Sequence, residues 1–287
     1  MNTAKSTAAT QIDFVAVNDT AARPGLVTYW RMEGPTDLDA LREAWADVGL
    51  PEDMLPNETS NGRALQLAMS EVAGRRKLSR PVRSGVRALV AESVNDAGEL
   101  SHRTILQASV EDGTLQIEPT WLPAAAKLRS AYRQAKVEID ASAMSSWLSQ
   151  QILPWLSGVI LRPHGGIYFI PARYEASFDA VCEALDRVSK AQLFRIPVVE
   201  SKSAVAAILD AVEREAEAMY AEMNEELARS GDDALGKRAL KTRAEKCAEL
   251  AAKLETYEDL LGVSLGGLRE QCDSLTASVS AASLMLL

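Results

Sequence analysis

The sequence of 287 residues is poor in the side chains that most often bind metals or form disulfides. It contains three cysteines, Cys182, Cys247 and Cys272, and two histidines, His102 and His164. The cysteines lack metal-ligand spacing and each falls in a predicted helix, so we expect reduced thiols and a cytoplasmic protein. Two isolated histidines are too few for a histidine metal site, and we predict no metal.

Complete catalytic and cofactor-binding motifs are also missing. Gly262-Val263-Ser264-Leu265-Gly266 matches the nucleophile elbow of hydrolases, but a predicted helix precedes it and both histidines lie upstream. We interpret its glycines as the end of one helix and the start of the next. Gly236-Lys237 lacks phosphate-loop spacing, and Gly165-Gly166 lacks dinucleotide-loop spacing. The sequence predicts no cofactor and a protein that is not an enzyme, although a site built from scattered residues stays open.

Long apolar runs are absent as well. The longest uncharged run, residues 141–161, has the length of a membrane span, but it contains serines, glutamines and a proline. We therefore expect a buried segment of a folded domain and no membrane span. No apolar run follows Lys5, so we expect no secretion signal and interpret residues 1–12 as a flexible tail.

Basic residues are outnumbered by acidic ones, 31 to 40, so the formal net charge is −9 and the isoelectric point is about 5.0. This balance disfavours a protein that coats nucleic acid through its phosphates. One segment, residues 75–87, is an exception because it is basic and contains no acidic residue. A nucleic-acid site is one hypothesis for it, and a solvated helix end followed by a loop is the other. Its basic residues are Arg75, Arg76, Lys77, Arg80, Arg83 and Arg87.

The strongest positive signal is a helical period over residues 201–261. In the first arm, apolar residues recur three, four or seven positions apart, which predicts one apolar stripe along a helix. The second arm repeats an apolar residue every seven positions, which is typical of a packing seam. The stripes contain Val205, Ile208, Val212, Met219, Met223 and Leu227 in the first arm, and Leu240, Cys247, Leu254 and Leu261 in the second.

The charges of the two arms favour a fold-back over one continuous rod. Residues 201–230 contain seven acids and three bases, whereas residues 236–253 contain six bases and two acids. A turn-forming cluster, residues 230–233, separates the arms. The sequence therefore predicts an antiparallel hairpin that sets acids near basic partners. The predicted partners are Glu222, Glu225 and Glu226 with Lys237, Arg238 and Lys241.

A hairpin of two helices leaves part of each apolar stripe without a partner inside the hairpin. We expect this part to bind a protein partner or a second copy, because an exposed apolar strip promotes aggregation unless it is covered. The candidate partner-binding residues are Val212, Met219, Met223, Leu227, Leu240 and Leu254.

The region before the hairpin predicts small antiparallel sheets with helices. In residues 13–120, apolar residues predict a strand over 26–32, a helix capped by Thr36 or Asp37, and a helix over about 58–77. Period-two runs at 86–94, 102–110 and 114–117 predict a three-stranded meander. In residues 121–200, the pattern predicts a helical region over about 124–151, a β-hairpin over 158–171, a helix over about 174–190 and a strand over 192–199. The last strand is expected to return beside the β-hairpin.

The β-hairpin contains the sharpest local motif, Gly158-Val159-Ile160-Leu161-Arg162-Pro163-His164-Gly165-Gly166-Ile167-Tyr168-Phe169-Ile170-Pro171. Arg162, Tyr168 and Arg173 are candidates for the lining of a small pocket, and the alternative is that they serve packing alone. Together with the following helix, the Phe-Arg-Ile-Pro strand and the acidic helix, this run resembles an uncharacterised family found in phages and other mobile elements. The resemblance covers about residues 158–227 and implies a phage, mobile-element or phage-conflict setting, with no reaction type.

Together these patterns predict an α+β protein whose last region, residues 201–287, forms a long helical hairpin and a C-terminal helix. The favoured function is a non-enzymatic interaction or assembly protein that acts through the hairpin. The alternative is a nucleic-acid-binding accessory component that uses residues 75–87. These two hypotheses differ in whether a protein or a nucleic acid is the partner.

Overall fold

The computed structural model describes residues 23–75, 77–94, 100–162, 165–229 and 237–284. The fold is α+β with small antiparallel sheets, as predicted. The strands are β1 Gly25–Arg31, β2 Thr36–Asp37, β3 Lys77–Arg83, β4 Val86–Val94, β5 Leu100–Glu111, β6 Thr114–Glu118, β7 Glu138–Ile139, β8 Val159–Ile160, β9 Tyr168–Pro171 and β10 Gln192–Val198. The helices are α1 Leu38–Asp47, α2 Asn61–Ala73, α3 Pro123–Val137, α4 Ala141–Trp147, α5 Leu153–Trp155, α6 Glu175–Val188, α7 Lys202–Arg229, α8 Lys237–Leu261 and α9 Gly266–Leu284.

The first sheet has the strand order β10-β1-β9-β8. The predicted β-hairpin is confirmed, since β8 pairs with β9 in antiparallel register. The expectation that the strand after α6 returns beside this hairpin is wrong, because β1 lies between them and pairs with both β9 and β10. A strand from the first 120 residues is therefore central to a sheet whose other strands come from residues 159–198.

The second sheet has the order β3-β4-β5-β6, with α2 and α3 against one face. The predicted meander is confirmed as β4, β5 and β6, but the sheet has a fourth strand that the sequence did not predict. The predicted helix over 58–77 ends early, because Gly74 caps α2 after Ala73. The chain then forms β3, where Pro81 and several arginines are tolerated because β3 lies at the sheet edge.

The predicted helical region over 124–151 is interrupted. Helix α3 ends at Val137, and β7 pairs with β2 before Asp140 caps α4. A π-helical segment, Leu148–Ile152, then joins α4 to α5. The interruption lets α3 pack on the second sheet while α4 and α5 pack on the first.

Three hydrophobic cores hold these elements together. The first lies between one face of the first sheet and α1, α4, α5 and α6, and it includes the tilted ring pair Trp45 and Trp147. The second lies between the opposite face of that sheet and α7, α8 and α9. The third lies between the second sheet and α2 and α3. The uncharged run 141–161 contributes buried residues to the first two cores, as expected of a segment that packs inside a domain.

Helices α7 and α8 run antiparallel, which confirms the predicted hairpin. Ion pairs join the acidic arm to the basic arm, including Glu226 with Arg243, Glu222 with Lys246, and Glu215 with Lys253. The predicted partners of Glu222 and Glu226 are wrong, because the observed bases, Lys246 and Arg243, lie farther along α8 than the predicted ones. Lys241 pairs with Glu245 of its own helix. The proposed turn, residues 230–233, and the side chains of Lys237 and Arg238 lie outside the part of the chain described here.

Buried polar side chains fasten the hairpin to the first sheet. Lys253 Nζ donates to the Gly158 carbonyl oxygen at 2.7 Å and to Glu215 Oε1 at 2.5 Å. Tyr257 Oη donates to the Ser157 carbonyl oxygen at 2.8 Å. Burial lowers the pKa of the Lys253 ammonium, and the neighbouring Glu215 carboxylate opposes this shift. The two side chains thus satisfy backbone carbonyls where the chain enters β8.

We expect Lys253→Ala to destabilise the fold by about 1–3 kcal/mol, because it leaves the Gly158 carbonyl oxygen without its donor and the partly exposed Glu215 carboxylate without its partner. Lys246→Ala is the matched control, since the Lys246–Glu222 pair is exposed and should change the free energy of unfolding by only about 0–1 kcal/mol. Urea denaturation of both variants and the wild type measures the difference. Equal losses in the two variants would show that Lys253 does not fasten the hairpin.

Candidate protein-interaction surface

The apolar stripe predicted to bind a partner is covered within the chain. Val212, Met223, Leu240 and Leu254 are buried, and Met219 is partly buried in the same region. The expectation of an exposed stripe along the hairpin is therefore wrong, because α9 and the first sheet pack on it. The side chain of Leu227 lies outside the described part of the structure.

The hairpin and α9 cover only part of the first sheet. Their core contains Val159 and Phe169 from β8 and β9, both fully buried. Val27 of β1 and Val198 of β10 are only partly buried at its border. The same sheet face therefore continues past the helices onto β1 and β10, where no described helix lies over it.

An aromatic and aliphatic patch occupies this uncovered part of the sheet. Tyr29 and Phe194 are cross-strand neighbours whose rings stack with centroids 4.6 Å apart. Ile196 lies two residues after Phe194 and therefore on the same face of β10. These side chains remain 39% (Tyr29), 39% (Phe194) and 51% (Ile196) exposed. A contiguous exposed apolar set of this kind, on the face of an edge strand and its neighbour, is typical of an interaction site.

A groove of about 620 Å³ extends the patch beyond the end of β10. Val199, which is 42% exposed, lines it together with apolar side chains from the start of α7 and the end of α8. Leu209 and Leu261 belong to the groove and also border the second core, so the groove is continuous with the partly buried rim of the sheet. We call Tyr29, Phe194, Ile196, Val199 and this groove the open half-face.

The rim of the open half-face has charges of both signs. Glu200 and Lys202 line the groove. Arg31 and Glu33 form an ion pair at the opposite end of β1. On the other face of β10, Arg195 pairs with Asp179 of α6 at 2.6 Å, so its charge is directed away from the patch. A mixed rim around an apolar centre fits a protein partner better than a polyanion.

The basic segment forms part of the second sheet. Lys77, Arg80 and Arg83 lie on β3, Arg75 lies just before it, and none of these four forms an ion pair within the described residues. Arg87 lies on β4, where its Nε donates to Ser79 Oγ at 3.1 Å. The expected helix end and loop are therefore replaced by an edge strand. Arg76 lies outside the described residues.

The motif around Gly165-Gly166 borders a cleft of about 390 Å³. Tyr168 lines it beside Trp30, and their rings stack with centroids 4.7 Å apart. Arg162 and Arg173 do not line this cleft, so the three predicted pocket residues do not meet there. Arg173 instead lies over the ring of Tyr174. His164, the centre of the motif, is outside the described residues.

The other chemical candidates have structural roles. Helix α8 ends before Gly262, which has φ +62°, and α9 begins at Gly266, so the hydrolase elbow is absent and the predicted helix boundary is confirmed. His102 lies on β5 at 3.6 Å from Glu92. Across the described ranges, no three histidine, cysteine or acidic side chains converge on a potential metal position. No helix within those ranges is long and apolar enough to span a membrane.

A family model matches residues 25–286, which is nearly the whole chain. The chain belongs to the DUF6744 family. That family is described as one of unknown function, so membership confirms the expectation of an uncharacterised family without assigning an activity. No curated protein and no solved structure matches the chain.

The sequence predicted three reduced cysteines, and the fold buries all of them. Burial raises the pKa of the Cys182 thiol to about 12 and also raises the pKa of Cys272. Since the thiolate is the reactive form, we expect iodoacetamide at pH 8 to leave the folded chain unmodified and to alkylate all three thiols in guanidinium chloride. Mass spectrometry counts the adducts. Rapid alkylation of the folded chain would contradict this burial.

Proposed function

We propose that this chain is a non-enzymatic assembly protein that associates with a second copy of itself through the open half-face. The stacked pair Tyr29 and Phe194, with Ile196 beside it, is the observation that carries the proposal. Aromatic side chains at the centre of a patch supply most of the binding energy in protein interfaces. The function predicted from the sequence is kept, but its surface moves from the hairpin to the sheet.

The size of the patch supports an interface core. A large aromatic side chain buries about 150–250 Å² when fully covered. The exposed fractions of Tyr29, Phe194, Ile196 and Val199 therefore correspond to on the order of 300 Å² of apolar surface. A stable interface buries about 800 Å² on each partner, and the groove and rim extend the patch toward that area.

The charge distribution supports a second copy as the partner. In a two-fold interface each patch faces its own equivalent, so a rim of one sign would repel itself. The rim of the open half-face instead offers Glu200 and Lys202 close together, which permits pairing of opposite charges between copies. Pro197 interrupts the outer edge of β10, so we propose contact through the sheet face and not through edge-strand hydrogen bonds.

The setting remains part of the proposal. The resemblance of residues 158–227 to proteins of phages and mobile elements supports a role in such an element or in a phage-conflict system. The few buried cysteines support a cytoplasmic location. An assembly role fits this setting because no described cluster of side chains suggests a reaction.

A second candidate is nucleic-acid binding through the basic segment. The unpaired cations Arg80 and Arg83 on an exposed edge strand favour it, since phosphates are bound by such side chains. Lys77 and Arg80 lie on opposite faces of β3, because their separation is an odd number of residues. The two side chains are therefore poorly placed to contact the same nucleic acid. The same arginines and Pro81 also protect an edge strand from unwanted pairing, which explains them without a ligand.

The open half-face is tested by placing a charge at its centre. We expect the wild-type chain to form dimers at micromolar concentration in sedimentation velocity experiments. The double variant Phe194→Lys with Ile196→Lys should remain monomeric, because dimerisation would bury two unpaired ammonium groups in the interface. Val94→Lys is the matched control, since Val94 is a 65% exposed apolar residue on the second sheet. A wild type that is monomeric at about 100 µM, or a double variant that still dimerises, would overturn the proposal.

The nucleic-acid alternative has its own measurement. We expect Arg80→Gln with Arg83→Gln to weaken retention of DNA or RNA and to reduce the slope of binding against salt by about two, one for each lost phosphate contact. Lys127→Gln with Arg133→Gln removes the same charge from the exposed side of α3 and serves as the control. Equal effects from both pairs, or no retention by the wild type, would exclude a site on β3.

A further inference from the structure

The second sheet contains an incomplete strand pairing. Strand β5 has twelve residues, whereas β6 has five and pairs only with residues 107–111 of β5. On its other side, β5 pairs with β4 along almost its full length. Residues 100–106 of β5 therefore have a neighbour on one side, and no strand of the described chain pairs with their other side. Alternate backbone N–H and C=O groups along this stretch face outward.

A cleft of about 690 Å³ lies beside this unpaired stretch. Thr104, Ile105 and Leu106 form one wall, and the segment that leaves β6, Glu118 to Trp121, forms the other. Trp121 is 79% exposed, the highest exposure among the large apolar side chains of the described residues. The cleft thus combines an open strand edge with an aromatic side chain in the position where β6 would continue.

We infer that this cleft binds an extended peptide segment of another protein, which adds as a strand along residues 100–106 of β5. Backbone groups of an open edge are satisfied by another extended backbone, so the edge itself specifies the kind of occupant. Trp121 covers the bound segment from the side and serves as the apolar anchor. The peptide runs in the direction of β6 and completes the four-stranded sheet along its full length.

The charges near the cleft specify the peptide further. Arg103 is exposed and forms no ion pair within the described residues. His102 already lies 3.6 Å from Glu92. Residues 100–106 contain one arginine and no proline or lysine, whereas β3 combines Pro81 with Lys77, Arg80 and Arg83. A register shift in the pairing of β4 with β5 leaves Ile105 as an extra residue, which packs partly against the third core and lines the cleft together with Trp121. Glu118 adds a negative charge on the opposite wall, so the fitting segment is apolar beside Ile105 and acidic only at the end beside Arg103.

This site is independent of the open half-face, which lies on the other sheet. The two inferences therefore fail separately: loss of self-association does not remove peptide binding. A monomeric double variant, Phe194→Lys with Ile196→Lys, allows peptide binding to be measured without dimers.

The probe is a set of blocked eight-residue peptides of alternating valine and threonine, with glutamate or lysine substituted at each position in turn. We expect saturable binding by the best glutamate peptides, with slower amide hydrogen exchange at residues 100–106 and no change on β10. The glutamate peptides should bind about two- to fivefold more tightly than their lysine counterparts, which is the range for an exposed ion pair. Arg103→Glu should reverse this order.

Two controls separate strand addition from nonspecific apolar contact. The same peptides with alternate amides N-methylated lose their hydrogen-bond donors and should not bind. Trp121→Ala should weaken binding about tenfold, as expected for an aromatic anchor, and because Trp121 is outside all three cores it should leave the unfolding transition unchanged. The inference would be overturned if binding did not saturate at about 1 mM peptide or if the methylated peptides bound equally well. It would also be overturned if the slower amide exchange at residues 100–106 depended only on the protein concentration and not on the peptide. The last outcome would identify a second copy as the occupant.

Discussion

The sheet β10-β1-β9-β8 must serve two hydrophobic cores at once, and the rest of the fold depends on this constraint. Leu26 of β1 contributes to the core under α1 and α6, while the next residue, Val27, borders the core under α7 and α9. A strand that is covered on both faces cannot have a polar side, which explains why β1 and β9 are apolar almost throughout. The open half-face arises where this double coverage ends.

Hydrogen bonds hold α7 and α8 near the β8 edge of the sheet, and this determines how much of the sheet face the helices cover. Lys253 and Tyr257 bind backbone carbonyls of Gly158 and Ser157, and Arg214 donates to the Leu161 carbonyl oxygen at 3.2 Å. All three contacts are with the segment that contains β8, at the edge of the sheet farthest from β10. The helices are therefore held over β8 and β9, and the aromatic pair Tyr29 and Phe194 stays in water.

The sequence predicted local structure well, because apolar periodicity depends on neighbours along the chain. The bounds of β4, the cap at Asp37 and the helical hairpin are examples. It did not predict the insertion of β1 between β9 and β10, since strand partners are chosen by contacts far apart in sequence. Gly25 shows such a contact: a Cβ atom there would lie 2.0 Å from the carbonyl oxygen of Ile170. The alternation of Phe194 and Ile196 in β10 was visible, but its exposure follows from the position of β10 at an edge.

The sheet edges at β3, β10 and residues 100–106 of β5 differ in a way that bears on partner choice. Strand β3 has Pro81 and unpaired arginines, and β10 has Pro197, so strand addition is hindered at both. The stretch 100–106 of β5 contains no proline, and its charge is limited to Arg103, with His102 beside Glu92; it borders Trp121. Proteins that do not use such an edge usually protect it, as this chain does elsewhere. Within the described residues, the open edge of β5 and the uncovered face of β10 therefore depart from the rules that keep a chain monomeric, and both suit the assembly role proposed above.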